Sequence, residues 1–176
     1  MKKIIFTEIL FVLLLVLMVG FLALRNQPKD VTAAEMERVF TARSDFNEME
    51  KFGDMRLRRN LGLEPADFTD YVYYGQSDTM AVQVFFFANC PSESQAEATE
   101  QRLRAYVNGR IHDFEGYGES QTAMLKNARI YRNGSHVALI VSGNAASWES
   151  ALKKEAESAP LAAIWQKIVR LFRKEG

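Results

Sequence analysis

The sequence predicts an α+β domain behind one N-terminal transmembrane helix, with a four-stranded antiparallel sheet built from two hairpins and packed against helices. Three observations predict it. Residues 4–24 (IIFTEILFVLLLVLMVGFLAL) form an apolar run behind Lys2 and Lys3. Two stretches, 71–87 and 128–142, each hold a pair of strand-like segments broken by a polar turn. The longest helical pattern lies between them, and a further helical pattern follows the second.

At about 1.5 Å per residue, a helix over residues 4–24 reaches about 30 Å, the hydrocarbon thickness of a bilayer. Thr7 and Gly20 are tolerated there, and Glu8 sits near enough to the end to reach the headgroups. The rival reading is a cleaved secretory signal. Against it, the run ends Gly20-Phe21-Leu22-Ala23-Leu24-Arg25, with Ala23 small among bulky neighbours, and the one cysteine, Cys90, cannot serve as a lipid-attachment site here. Lys2 and Lys3 before the run, against Arg25 and Lys29 after it, favour an amino terminus inside. The expected organisation is a signal anchor over 1–25, a linker over 26–31, an extracytoplasmic domain over 32–159 and a basic amphipathic helix over 160–176. The protein would then be a single-pass protein of the cell membrane, with the bilayer as its partner through residues 4–24.

The remainder suffices for one compact domain with a core, not two. Setting aside Lys2, Lys3 and Glu8 leaves 20 of the 22 basic and 21 of the 22 acidic residues. Such a near-neutral domain has no overall field to recruit nucleic acid, so no nucleic-acid partner is expected. One cysteine forms no internal disulfide, so stability must come from packing.

Thr32-Ala-Ala-Glu35 has capping-box spacing and opens a helix to about Arg43, with Met36, Val39 and Phe40 on one face. A second helix covers Asp54 to Leu61 and stops at Gly62, and Glu64 to Asp67 form a turn. Tyr71 to Gly75 and Met80 to Phe87 read as a hairpin around Gln76, Ser77 and Asp78. The second strand carries apolar residues on both faces, which argues for a covered, central position. Asn89 to Ser92 break it, and a helix over Ser94 to Glu115 follows with a stripe of Leu103, Tyr106, Val107, Ile111 and Phe114. A short helix through Ala123 to Leu125 leads to strands Ala128 to Arg132 and His136 to Ser142, with Asn133-Gly134 as the central residues of the turn. Helical patterns then cover Ala145 to Ser158 and Leu161 to Arg173. Pairing the two apolar strands at the centre gives the strand order 1-2-4-3.

The stretch Tyr71 to Ser142 resembles an uncharacterised extracytoplasmic domain family of Clostridia-type Gram-positive bacteria. Its members sit behind a lipoprotein signal or a single membrane anchor. The likeness rests on YVYYG, on MAVQVFFF, and on the helix ending Arg110-Ile-His-Asp-Phe114. It continues through Tyr117, Met124-Leu-Lys-Asn-Ala128, and Asn133-Gly134 ahead of VALIVS. The resemblance implies an extracytoplasmic location and no known activity, cofactor or catalytic residue. The anchor lacks the lipid-attachment cysteine common in such proteins, and the basic helix after Pro160 looks like an addition.

Arg110 is the first candidate site residue, because it falls within the apolar stripe and must snorkel out or find a partner there. A structural pair competes with a ligand-binding role. Tyr71, Tyr73, Tyr74 and Tyr117 are candidates for an aromatic partner-binding surface, against the commoner duty of covering the sheet. Cys90 lies at a strand-to-helix junction but has no histidine at a telling spacing, and is expected to be half-buried and inert. His112 and His136 have no ligand spacing and read as solvated residues, so no metal or cofactor is expected. In the terminal helix, Trp165, Lys167, Arg170, Phe172 and Arg173 have the composition of a membrane-surface element, though the same helix could pack on the sheet.

With no nucleophile set, metal spacing or phosphate loop, the leading expectation is a non-enzymatic, membrane-tethered module that binds an envelope protein or peptide. The alternatives are an envelope hydrolase using scattered carboxylates such as Asp113 and Glu115, and a structural envelope component.

Overall fold

The computed structural model describes residues 13–15, 18, 31–78 and 80–157. Residues Asp30–Glu157 make one compact unit. The expected anchor over 4–24 lies outside the described residues except for Leu13–Leu15 and Met18, which are helical with exposed side chains. The terminal helix with Trp165, Lys167, Arg170, Phe172 and Arg173 lies outside them altogether. Among the described residues, no helix is long and apolar enough to cross a membrane.

A five-stranded antiparallel sheet organises the unit: β1 (Glu50–Lys51), β2 (Asp70–Gly75), β3 (Val84–Asn89), β4 (Arg129–Asn133) and β5 (His136–Val141). The spatial order is β1-β2-β3-β5-β4. Helices α1 (Ala33–Thr41) and α5 (Ala145–Glu157) lie on one face. On the other lie α2 (Asp54–Arg56) with its π-helical continuation Leu57–Leu61, and α3 (Glu93–Phe114) followed by α4 (Glu119–Lys126). The four expected strands keep the order read from the sequence. The fifth, β1, was not expected: it has two residues, both charged and exposed, and is defined by pairing Glu50 with Gly75 and Lys51 with Tyr74.

Strand alternation builds both cores. Tyr73, Phe86, Leu139 and Ile130 stand opposite one another across β2, β3, β5 and β4 and face α3. Tyr74, Phe85 and Ile140 form the next row and face α1 and α5. Phe85 stacks on Phe40 of α1 with centroids 3.9 Å apart, and Trp148 of α5 meets Phe40 edge-on at 5.7 Å. A sheet covered on both faces needs continuous apolar strands, hence VFFFA in β3 and HVALIV in β5. The capping box opens α1 as its spacing predicts: Glu35 N donates to Thr32 Oγ1 at 3.2 Å, and Thr32 N to Glu35 Oε2 at 3.0 Å. Val31, placed in the linker by sequence, is buried and its carbonyl accepts from Asn89 Nδ2 at 2.8 Å.

Three local expectations are corrected. Strand β3 starts at Val84 rather than Met80, because the Asp78 side chain and carbonyl take the amides of Met80 (2.8 Å) and Ala81 (3.2 Å) and hold a turn there. The second hairpin turns on Gly134-Ser135, since Asn133 pairs with His136; Gly134, with φ 57°, is the first central residue, as a type II′ turn requires. The helix opening at Asp54 widens into a π turn before Gly62 ends it with φ 66°. That turn buries both Leu57 and Leu61.

Candidate functional site

A groove of about 340 Å³ opens on the α3 face, where β2 ends and the chain crosses to β3. Its floor is Tyr73 and Gly75 of β2 with Val84 of β3. One wall is Phe52, Arg56, Arg59 and Asn60 from α2 and the π turn. The facing wall is Tyr106 and Arg110, one helical turn apart on α3. From the connection between β2 and β3, Gln76, Ser77, Asp78, Ala81 and Gln83 close the end. The loss of strand structure before Val84 is therefore what makes room for the site.

Guanidinium groups dominate the groove. Elsewhere in the domain most arginines are matched: Arg58 with Glu64 at 2.8 Å, Arg102 with Asp67 at 3.2 Å, and Arg104 and Arg132 with Glu100, each at 2.7 Å. Arg56 and Arg59 have no carboxylate at ion-pair distance among the described residues. Arg56 rests over the Phe52 ring, 4.4 Å from its centroid, and Arg59 reaches only Asn60 Oδ1, at 3.4 Å. Arg110 lies 4.8 Å over Phe114, shares its wall with Tyr106, and meets Asp113 at a loose 3.5 Å. Among the described residues, Asp78 is the only carboxylate lining the groove.

Phenols complete the lining. Tyr73 is buried and its hydroxyl accepts from Asn60 Nδ2 at 3.2 Å. Burial pushes the Tyr73 phenol up to about 12 against the opposing effect of that bond. Burial likewise raises the Tyr106 phenol, with Arg110 opposing. Both hydroxyls therefore keep their protons at neutral pH. The Tyr73 oxygen is already an acceptor, so its donor capacity remains for something in the groove. A second, shallower groove shares Gln76, Asp78, Ala81 and Gln83 with the first and runs on past Met80 and Met124.

The structure brings together Tyr73 and Arg110 of the candidates named by sequence. It separates the others. Alternation along β2 places Tyr74 on the opposite face, where its hydroxyl donates to Glu37 at 2.6 Å. Tyr117 is exposed and packs on the Phe114 ring with centroids 5.6 Å apart. The four tyrosines thus make no single aromatic surface. Tyr71 donates to Asp54 at the domain surface. Cys90, expected to be half-buried, is buried against Thr99, and burial raises its thiol. His136, expected to be solvated, is buried, bonded to Asn89 and stacked on Phe87. Among the described residues, no three metal-ligating side chains gather at one point.

Sequence reasoning missed Arg56, Arg59, Asn60 and Tyr106. A signal existed for the first three: a run of basic residues directly ahead of Gly62, on a helix whose opposite face carries Leu57 and Leu61.

Residues 42–142 match a family described as a domain of unknown function (DUF4358). The match takes in all the groove residues named above, and it leaves α1 and α5 outside. No curated protein and no solved structure matches the chain. With more than half of its length matched, the chain belongs to the DUF4358 family.

Proposed function

We propose that this protein is a membrane-tethered, extracytoplasmic binding module whose ligand site is the groove between the π turn and α3. The observation that carries the reading is the set of three guanidinium groups around one concavity, two of them without a carboxylate partner among the described residues, in a domain that pairs most of its other arginines. Unmatched, oriented arginines beside aromatic rings are the composition of a recognition site for an anionic ligand. Tethering rests on the length and apolarity of residues 4–24, and the exposed side chains of Leu13, Leu14, Leu15 and Met18 suit a lipid environment. A non-enzymatic role is favoured because Asp113 and Glu115, the carboxylates a hydrolase would use, are both exposed to solvent rather than set in the groove.

Site-specific photo-crosslinking of the full chain in its native membrane tests this. A photoreactive residue at Gln83, inside the groove, should capture a ligand or partner that Arg56→Gln with Arg110→Gln abolishes. The same probe at Arg104, outside it, should not. Equal capture at both positions would overturn the groove assignment. Release of the chain by carbonate washing would overturn the tether.

A further inference from the structure

We propose that the groove recognises the phosphoryl group of a phosphate monoester, either a soluble one or a lipid headgroup. The inference rests on the groove being a ligand site, and adds the chemistry of what it takes.

Charge is the first argument. Three guanidiniums face one lining carboxylate, Asp78, and the loose Asp113 contact lies outside the groove lining. The lining itself carries an excess of two positive charges, which the Asp113 contact to Arg110 trims. A phosphate monoester carries about −1.5 to −2 at neutral pH, whereas a carboxylate or a phosphodiester carries a single negative charge. A monoester therefore matches the site without leaving a cation unpaired.

Geometry is the second. The cations arrive from two sides, Arg56 and Arg59 from α2 and the π turn, Arg110 from α3. A carboxylate offers two oxygens in one plane, well met by one guanidinium fork. A tetrahedral phosphoryl group offers three oxygens in different directions, which opposed forks can share. Arg56 and Arg110 are each seated on an aromatic ring, Phe52 and Phe114, so less side-chain freedom is lost on binding.

Neutral donors are the third. Among the described residues neither the Tyr73 nor the Tyr106 O–H is given to an acceptor, and Tyr73, whose oxygen accepts from Asn60, is buried at the groove floor. A buried phenol with no acceptor for its proton calls for an acceptor-rich ligand, and phosphoryl oxygens accept without donating. The ester's organic part would run along the adjoining groove past Met80 and Met124.

Calorimetric titration of the full-length chain in a phosphate-free maltoside detergent tests the proposal. The probes are glycerol 3-phosphate, phosphatidic acid in mixed micelles, succinate, glycerol and phosphatidylcholine. At least one phosphate monoester should bind saturably, with glycerol, succinate and phosphatidylcholine at least about tenfold weaker. Binding by glycerol 3-phosphate would identify a soluble ester; binding by phosphatidic acid alone would identify a lipid headgroup. Arg56→Gln with Arg110→Gln should weaken binding by about tenfold or more. Arg56→Lys, which keeps the charge but loses the fork, should give a smaller loss, and Arg104→Gln none. An unchanged circular dichroism spectrum shows that each variant is folded, and a variant that is not folded is replaced by Tyr73→Phe, which should also bind more weakly. No saturation by either ester, equal binding of succinate, or binding indifferent to the arginines would overturn the phosphoryl assignment. If that happens while capture at Gln83 still depends on Arg56 and Arg110, the groove stands as a site for another anion. If capture also fails, the groove itself is not the ligand site.

Discussion

Asn60 donates its side-chain amide to the hydroxyl of Tyr73 at 3.2 Å, which ties the π turn to the floor of the sheet. That bond fixes the wall carrying Arg56 and Arg59 against β2. It also settles which way the Tyr73 hydroxyl serves: its oxygen accepts from Asn60, so its proton is left for the groove.

Tyr73→Phe should therefore have two effects. Losing the bond should cost about 0.5–1.5 kcal/mol in a chemical melt. It should also weaken ligand binding. Tyr117→Phe is the control, because Tyr117 is exposed and should melt as the parent does. Equal melts for both variants would remove the structural role assigned to the Asn60–Tyr73 bond.

The far side of the sheet invites a different test. Phe85 is fully buried, stacked on Phe40 and edge-on to Phe46 at 5.6 Å. Phe85→Ala should cost about 3–5 kcal/mol, through lost burial and the cavity left behind. The denaturant midpoint should fall with little change in slope. Because Phe85 faces α1 and α5, any folded fraction should keep the groove and its ligand. A loss below about 2 kcal/mol would mean that α1 collapses into the space.

Much of this architecture was legible because its physics is local. The capping box at Thr32, the apolar alternation of β3 and β5, and the stripe on α3 each declare themselves within a few residues. What escaped the sequence depends on partners far along the chain. Strand β1 exists because Glu50 and Lys51 meet Gly75 and Tyr74, and nothing in two charged residues announces a strand. Met80 to Gln83 alternate as a strand would, yet the Asp78 turn removes them from the sheet and gives Ala81 and Gln83 to the groove. Arg110 and Tyr73 could be singled out as an arginine in an apolar stripe and an aromatic in a strand. Their meeting with Arg56 and Asn60 required knowing that the π turn folds back over β2.

Asp45 gives the stability of the domain a pH dependence. Arg43 grips its carboxylate through two bonds, at 2.9 and 3.0 Å, while Trp148 Nε1 (2.9 Å) and Asn144 Nδ2 (3.1 Å) donate as well. Held mainly by Arg43, the carboxyl falls to about 2. A carboxyl lowered on folding adds stability above its unfolded value, about 4, and that contribution is lost as pH falls through the folded value. Asp45→Asn should thus cost about 1–2 kcal/mol at neutral pH, partial exposure to solvent trimming the effect. The gap between variant and parent should narrow as the melts are taken from pH about 4 toward about 2. A gap constant across that window would show that neutral hydrogen bonds, not charge, hold Trp148 in place.

Gly75, which lines the groove, and Gly109, within α3, should respond to alanine with opposite signs. A Cβ on Gly75 would stand 2.5 Å from Phe52 Cε2 and 3.2 Å from Cδ2. The obstacle is a buried ring set edge-on against Tyr73 at 5.2 Å, not the free end of a flexible chain. Gly75→Ala should push Phe52 aside at a cost of about 1–3 kcal/mol. It should also weaken ligand binding, because Arg56 rests on that ring. Gly109 sits inside α3 with nothing within 4 Å of the point a Cβ would occupy, so alanine there meets no neighbour and removes the entropy cost of a helical glycine. Gly109→Ala should raise stability by about 0.5–1 kcal/mol and leave binding intact. Thermal melts and one titration of each variant decide the matter. Unchanged binding in Gly75→Ala would mean that Phe52 does not seat Arg56 for the ligand, and a destabilised Gly109→Ala would mean that this face of α3 is covered by another part of the chain.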